Sequence, residues 1–202
     1  MELDAFLECV RDYRIPPSAP DCCSLDTLHW FSAFSKEWDA RHEVTTLGMW
    51  ALVTQDLARR LAEYIGGRSV LEIMSGVGWL ARALADQGVD ITATDDYSWD
   101  SGYKDRRFLC RVERMDCVDA VRAFEDAEIL LVSWPHMFAD ALVDAVLAWG
   151  SDRPIIYIGE SEGGCCACDE FFKLFREDEG VEIPLMSWNS IHDSVWIGHV
   201  GA

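Results

Sequence analysis

Residues Val70 to Leu80 read Val-Leu-Glu-Ile-Met-Ser-Gly-Val-Gly-Trp-Leu. This is a short apolar strand, a glycine turn and the first turn of a helix. Glu72 is the strand's one charge. Gly76 and Gly78 stand where the chain must bend tightly and let a ligand approach the backbone. In the helix that follows, Leu80, Ala83 and Leu84 share a face, and Gly88 is the expected stop. A helix N-terminus behind such a turn presents free backbone N–H groups and a positive dipole end, which suit a carboxylate or a phosphate. A second strand, Asp90 to Asp95, ends in the carboxylate pair Asp95-Asp96. An acid about 20 residues past the turn is placed to bind ribose hydroxyls. The unit is therefore a nucleoside-binding strand–turn–helix–strand, and it commits the chain to an α/β fold.

Two families use this unit. Gly76-Val77-Gly78-Trp79-Leu80-Ala81 fits the G-x-G-x-x-G/A pattern of dinucleotide oxidoreductases. Glu72-Ile73-Met74-Ser75-Gly76-Val77-Gly78 resembles the first motif of class I methyltransferases dependent on S-adenosylmethionine, an acid inside the first strand followed by G-x-G. Glu72 favours the second. A carboxylate near the turn opposes a pyrophosphate and helps organise the ammonium end of a methionine moiety. The resemblance runs from about Leu47 to the C-terminus. It implies a three-layer, doubly wound α/β fold with a seven-stranded, mostly parallel sheet and a terminal antiparallel strand pair. It also implies S-adenosylmethionine as cofactor, with Glu72, Met74, Ser75, Gly76, Gly78, Asp95, Asp96 and Ser133 around it. An acid at the end of the third strand in this family often accepts from the adenine amino group, and the next backbone N–H can hold a ring nitrogen. Asp116 and Cys117 match those positions. Asp116 is equally readable as the N-cap of a helix from Val118 to Phe124.

The remaining chain reads as two parts, a helical N-terminal extension over 1–46 and the methyltransferase-like domain over 47–202. In the extension, Leu3, Phe6, Leu7 and Val10 make an amphipathic helix that Pro16-Pro17 break. Trp30, Phe31, Phe34 and Trp38 recur at helical spacing, as packing for the sheet or as a lid over a substrate pocket. The stripe Leu47, Trp50, Leu57, Leu61 and Ile65 predicts one helix over Leu47–Ile65, closed by Gly66-Gly67. Trp50 is a core residue or a border of the site. Cys110–Cys117 is expected as the third strand, and Ile129–Val132, apolar throughout, as a central strand of a parallel sheet. A helix over Phe138–Trp149, a strand over Pro154–Glu160, a flexible acidic loop from Glu160 and a helix over Asp169–Glu177 follow. Strands over Val181–Trp188 and Ser194–Val200 complete the pattern. That tail argues against a dinucleotide dehydrogenase, which carries a second nucleotide-binding half.

Composition narrows the partners. Lys plus Arg number 17 against 36 Asp plus Glu, a formal charge of −19. Such a field repels nucleic-acid phosphates and favours a small-molecule or protein acceptor. No apolar run is long enough to span a bilayer, and the acidic N-terminus lacks a signal-peptide pattern, so a soluble cytoplasmic protein is expected. Cys22-Cys23 and Cys165-Cys166-Ala167-Cys168 lack common zinc spacing, and no metal site is expected.

Ligands of open α/β sheets bind beyond the carboxyl ends of the strands. The segments ending there are Met74–Gly78, Asp95-Asp96, Asp116-Cys117, Ser133–His136 and Glu160. Ser133-Trp134-Pro135-His136 lies where amino-methyltransferases of nucleobases or glutamine carry an Asn/Asp/Ser-Pro-Pro-aromatic motif. It departs from that motif at Trp134 and His136, so that substrate class is not carried over. Trp134 is a stacking residue for a planar or cationic acceptor. His136 is the best-placed base, or a surface His at a helix N-terminus. Glu160 is a weaker catalytic candidate, as is His192. Three readings result: an S-adenosylmethionine-dependent methyltransferase, a nicotinamide-dependent oxidoreductase, and a non-catalytic relative kept as an interaction module.

Overall fold

The computed structural model describes residues 1–25, 34–98 and 107–201, with the backbone alone at 34 and 35. His29, Trp30, Phe31 and Trp99 lie outside the described residues. In chain order the elements are α1 (Leu3–Arg11), α2 (Phe34–Thr46), α3 (Gln55–Ile65), β1 (Val70–Ile73), α4 (Trp79–Ala85), β2 (Ile91–Asp95), β3 (Glu113–Arg114) and α5 (Cys117–Ala123). Then come β4 (Ile129–Ser133), α6 (Asp140–Trp149), β5 (Ile155–Gly159), α7 (Asp169–Leu174), β6 (Phe175–Glu177) and β7 (Ser194–Val200).

The strands form one seven-stranded sheet in the order β3-β2-β1-β4-β5-β7-β6. The pairs from β3 through β5 are parallel, and β7 runs antiparallel to both neighbours. Successive side chains of a strand point to opposite faces. Ile129, Leu131, Ile156 and Ile158 accordingly pack with α1, α3 and α4, while Leu130, Val132, Ile155 and Tyr157 pack with α5, α6 and α7. Three layers result, and the central strands are apolar on both sides because both sides are covered. In the N-terminal extension, α1 buries Phe6, Leu7 and Val10, with Phe6 edge-on to Trp188 at 6.0 Å. Among the described residues, no helix is long and apolar enough to cross a membrane.

The structure corrects four expectations. The helix expected over Leu47–Ile65 begins only at Gln55, where Thr54 Oγ1 caps the N–H of Leu57. Gly48 takes φ 88° after α2, and Ala51, Leu52, Val53 and Thr54 are all buried, a pattern no one-sided helix satisfies. The carbonyls of Pro16 and Pro17 accept from the N–H groups of Gln55 and Asp56, so the extension itself closes this helix's first turn. The third strand shrinks from the expected Cys110–Cys117 to Glu113–Arg114.

The last two corrections are linked. The helix expected over Asp169–Glu177 stops at Leu174, and Phe175–Glu177 turns into the sheet-edge strand β6. The segment Val181–Trp188, expected as a strand, stays outside the sheet, and its Ser187 forms an isolated bridge to Ser24. A side chain on Gly198 of β7 would collide with the Arg176 carbonyl, so glycine there admits β6 at close range. Ile183, Leu185 and Trp188 are buried instead in the layer that holds α1. The apolar residues of this segment are buried against a helix layer rather than in a ladder.

Candidate functional site

A cavity of about 620 Å³ opens at the carboxyl ends of β1, β2 and β4. Three strand ends there carry a non-glycine residue in the left-handed region: Met74 (φ 54°) after β1, Tyr97 (φ 59°) after β2 and Trp134 (φ 50°) after β4. Each such residue costs of order 1–3 kcal/mol and persists only where its surroundings over-determine it. The determinants here are hydrogen bonds. Ser75 donates to the Thr94 carbonyl through both its N–H and Oγ at 3.0 Å. Asp95 accepts from the Gly76 N–H through Oδ2 and from the Tyr97 N–H through Oδ1, each at 2.8 Å. Asp95 thus clasps the glycine turn to the end of β2. Its neighbour Asp96 is exposed, accepts from the Ser98 N–H at 2.8 Å, and lines the cavity. Gly76 lines the cavity at φ 61°. Gly78 serves packing instead. A Cβ there would sit 2.6 Å from Cys110 Sγ, so its bare backbone lets the 110–112 segment close over the turn.

Glu72 is the most unusual group in the site. It is 1% exposed, yet it lines the cavity, and its Oε2 has no hydrogen-bond partner. Burial pushes its carboxyl up to about 8, the Asp95 charge adds to this, and the Ala81 backbone N–H opposes it. An orphaned acceptor in a cavity floor asks for a donor or a cation from a ligand. The flanking carboxyls Asp95, Asp96 and Asp116 also line the cavity, and among the described residues no Lys or Arg does.

Asp116 faces the cavity and caps α5, accepting from the N–H groups of Val118 (2.9 Å) and Asp119 (3.4 Å). The N-cap reading of this residue holds, with the helix beginning at Cys117. Cys117 is buried beside it, with its thiol pushed up to about 12, mainly by burial, and donating to the Ala141 carbonyl at 3.4 Å.

On the opposite wall, β4 delivers Ser133, Trp134, Pro135 and His136 to the cavity. Trp134 is held by its Nε1 donating to Asp193 Oδ1 at 2.8 Å, by Trp50 stacked 5.8 Å away, and by the Arg41 guanidinium 5.4 Å from its ring. Burial raises the Asp193 carboxyl to about 7, with Glu160 adding to the rise, while the Trp134 bond and the Arg41 charge hold it back. His136 Nδ1 accepts from the Phe138 N–H at 3.2 Å. A neutral ring in that arrangement carries its proton on Nε2. Glu160 does not line the cavity. It is buried, and its carboxylate accepts from the N–H groups of Cys165 (2.7 Å) and His192 (3.1 Å). Burial works to raise its pKa, but these backbone bonds outweigh that and hold it below the usual carboxylate range. The segment expected as a flexible acidic loop is therefore tied down at its first residue.

Sequence reasoning missed Arg41 and Asp193. Arg41 lies in a polar helix with nothing local to mark it. Asp193 meets Trp134 across 59 positions of chain. Among the described residues, no three His, Cys, Asp or Glu side chains cluster as metal ligands.

The sheet order, with β7 reversed and inserted between β5 and β6, now stands beside a cavity at the β1–β4 carboxyl ends. This is the sheet topology that the resemblance to class I methyltransferases implies. No protein-family profile matches the chain, and no curated protein does. Solved structures with a similar arrangement include TrmN from Thermus thermophilus, 13% identical over 80% of this chain and 53% of that one, TM-score 0.47. Against TrmN the chain spans about half the length. Magnesium protoporphyrin IX methyltransferase from Synechocystis PCC 6803, with bound SAM, is 12% identical over 85% of this chain and 86% of that one, TM-score 0.49. The mitomycin 7-O-methyltransferase MmcR is 14% identical over 84% and 62% respectively, TM-score 0.49.

Proposed function

We propose that this chain is an S-adenosylmethionine-dependent methyltransferase acting on a small-molecule or protein acceptor. The observation that carries this reading is Glu72, a buried carboxyl with an unpartnered oxygen in the floor of an acidic cavity behind the glycine turn. A ligand with an ammonium and a sulfonium complements that floor; a pyrophosphate does not. The nicotinamide alternative gains no support, because among the described residues no Lys or Arg lines the cavity to meet a pyrophosphate.

In this reading Glu72, Met74, Ser75 and Gly76 surround the methionine end of the cofactor. Gly78 lets the turn close. Asp95 and Asp96 serve the ribose, Asp116 and Cys117 the adenine, and Ser133 borders the reacting centre. The cofactor supplies a methyl group already activated on a sulfonium, so the chain's work is mainly to position a nucleophile. Trp134 orients a planar acceptor by stacking, and Ser133 accepts a hydrogen bond from it. His136 offers its Nε2 proton as a donor, and it takes a proton from an acceptor once its Nδ1 leaves the Phe138 N–H. Glu160 acts indirectly, by fixing the Cys165 end of its loop.

The test is thermal denaturation with S-adenosylmethionine, S-adenosylhomocysteine, NAD and NADP. The first two are expected to raise the melting temperature by ligand linkage, and the last two to leave it unchanged. A shift with NAD alone overturns the reading.

A further inference from the structure

The cavity divides chemically. Around Glu72, Asp95, Asp96 and Asp116 it is acidic. Beyond the end of β4 its walls are Trp50, Ala51, Trp134, Pro135, Met137 and Phe138, with the acidic residue Asp140 beside them. Large apolar side chains scattered singly on a surface mean little, but a shared patch marks a binding site. Trp50 (36% exposed), Met137 (39%) and Phe138 (74%) all stand exposed, and all line this one cavity.

The Trp134 ring is held by three contacts before any ligand arrives. Asp193 holds its N–H, the Arg41 guanidinium lies against its ring, and Trp50 stacks on it with an interplanar angle of 25°. Neither Asp193 nor Arg41 lines the cavity, so the ring's polar supports lie outside it. A preorganised, flat surface of this kind favours a flat partner. Arg41 already supplies the cation for Trp134, and a second positive charge beside it is repelled. Asp140 and the overall charge of −19 oppose an anion.

We infer that this wall is a stacking platform for a neutral, planar aromatic acceptor, its hydroxyl or amino group turned toward Ser133 and His136. The inference rests on the methyltransferase reading for what occupies the acidic half, and it names the acceptor class that reading leaves open.

The experiment is calorimetric titration of the chain saturated with S-adenosylhomocysteine. The probes are 2-naphthol, its saturated analogue decahydro-2-naphthol, 2-naphthoate and 2-naphthylmethylammonium. The expected result is that 2-naphthol binds, with the other three at least about tenfold weaker. Trp134→Leu and the surface change Trp50→Ala should each weaken 2-naphthol about tenfold, with S-adenosylhomocysteine affinity kept. Equal binding of a charged or saturated probe, undetectable 2-naphthol, or no loss in the Trp50→Ala chain overturns the inference. If S-adenosylhomocysteine itself fails to bind, the methyltransferase reading falls. The same titrations of the free chain then still decide the platform.

Discussion

The Trp134 indole N–H donates to Asp193 Oδ1 at 2.8 Å, tying the carboxyl end of β4 to the residue that precedes β7. One bond joins the wall of the cavity to the reversed strand that distinguishes this sheet. Trp134 itself takes a left-handed conformation that a large side chain seldom adopts.

Replacing Asp193 tests that bond. Asp193→Ala leaves the part-buried indole N–H without its acceptor and should cost roughly 1–3 kcal/mol in urea unfolding. Asp193→Asn keeps an acceptor and removes a buried charge, so it should cost less, and at pH 8 it should be neutral or stabilising. Equal losses in the two variants would show that the charge, not the hydrogen bond, holds Trp134.

Glu72 and Asp193 set a pH dependence. Their carboxyls are raised to about 8 and about 7 in the folded chain. Unfolded carboxyls titrate near pH 4. The folded state therefore binds more protons than the unfolded state between those limits, and stability falls as pH rises through that window. The melting temperature of the free chain should be higher at pH 5.5 than at pH 8, by on the order of 10 °C. Glu72→Gln should flatten most of this slope. A melting temperature that climbs from pH 5.5 to 8 contradicts the assignment.

The same Glu72→Gln change should weaken S-adenosylhomocysteine by about tenfold or more, the scale of one charged hydrogen bond. In calorimetry at pH 7 to 8, cofactor binding to the native chain should release protons, read as a heat that depends on the buffer. The variant should show no such dependence.

Asp95 and Asp96 separate by role. Asp95→Ala removes the acceptor for two backbone N–H groups at the glycine turn, so it should lower both cofactor affinity, by about 2 kcal/mol, and the melting temperature. Asp96→Ala touches an exposed side chain and should lower affinity alone. Undiminished affinity in both variants removes the ribose from this strand end.

With an acceptor in hand, His136→Ala should reduce turnover by roughly 10²-fold where the acceptor must lose a proton, and little where it is a neutral amine. Cofactor affinity should not move in either case. Near-normal turnover with a hydroxyl acceptor assigns His136 to the helix N-terminus alone.

What the sequence by itself determined is local. Gly76 and Gly78 demand a turn, apolar runs such as Ile129–Val132 demand burial on two faces, and acids fall at the ends of β1, β2 and β3. These follow from backbone freedom and side-chain hydrophobicity, which neighbouring residues express without help. What only the tertiary structure decided is the partner of each polar group. Asp95 is partly committed to the turn, Glu160 to its own loop, and Glu72 keeps an oxygen unmet. Likewise Phe175–Glu177 pairs with β7 as the edge strand, at a close approach that the bare Gly198 allows, while Val181–Trp188 buries its apolar side chains in the α1 layer. Hydrogen bonds between distant residues, such as Trp134 and Asp193, depend on the folded distance. That distance follows from the packing of the whole chain, and no local pattern encodes it.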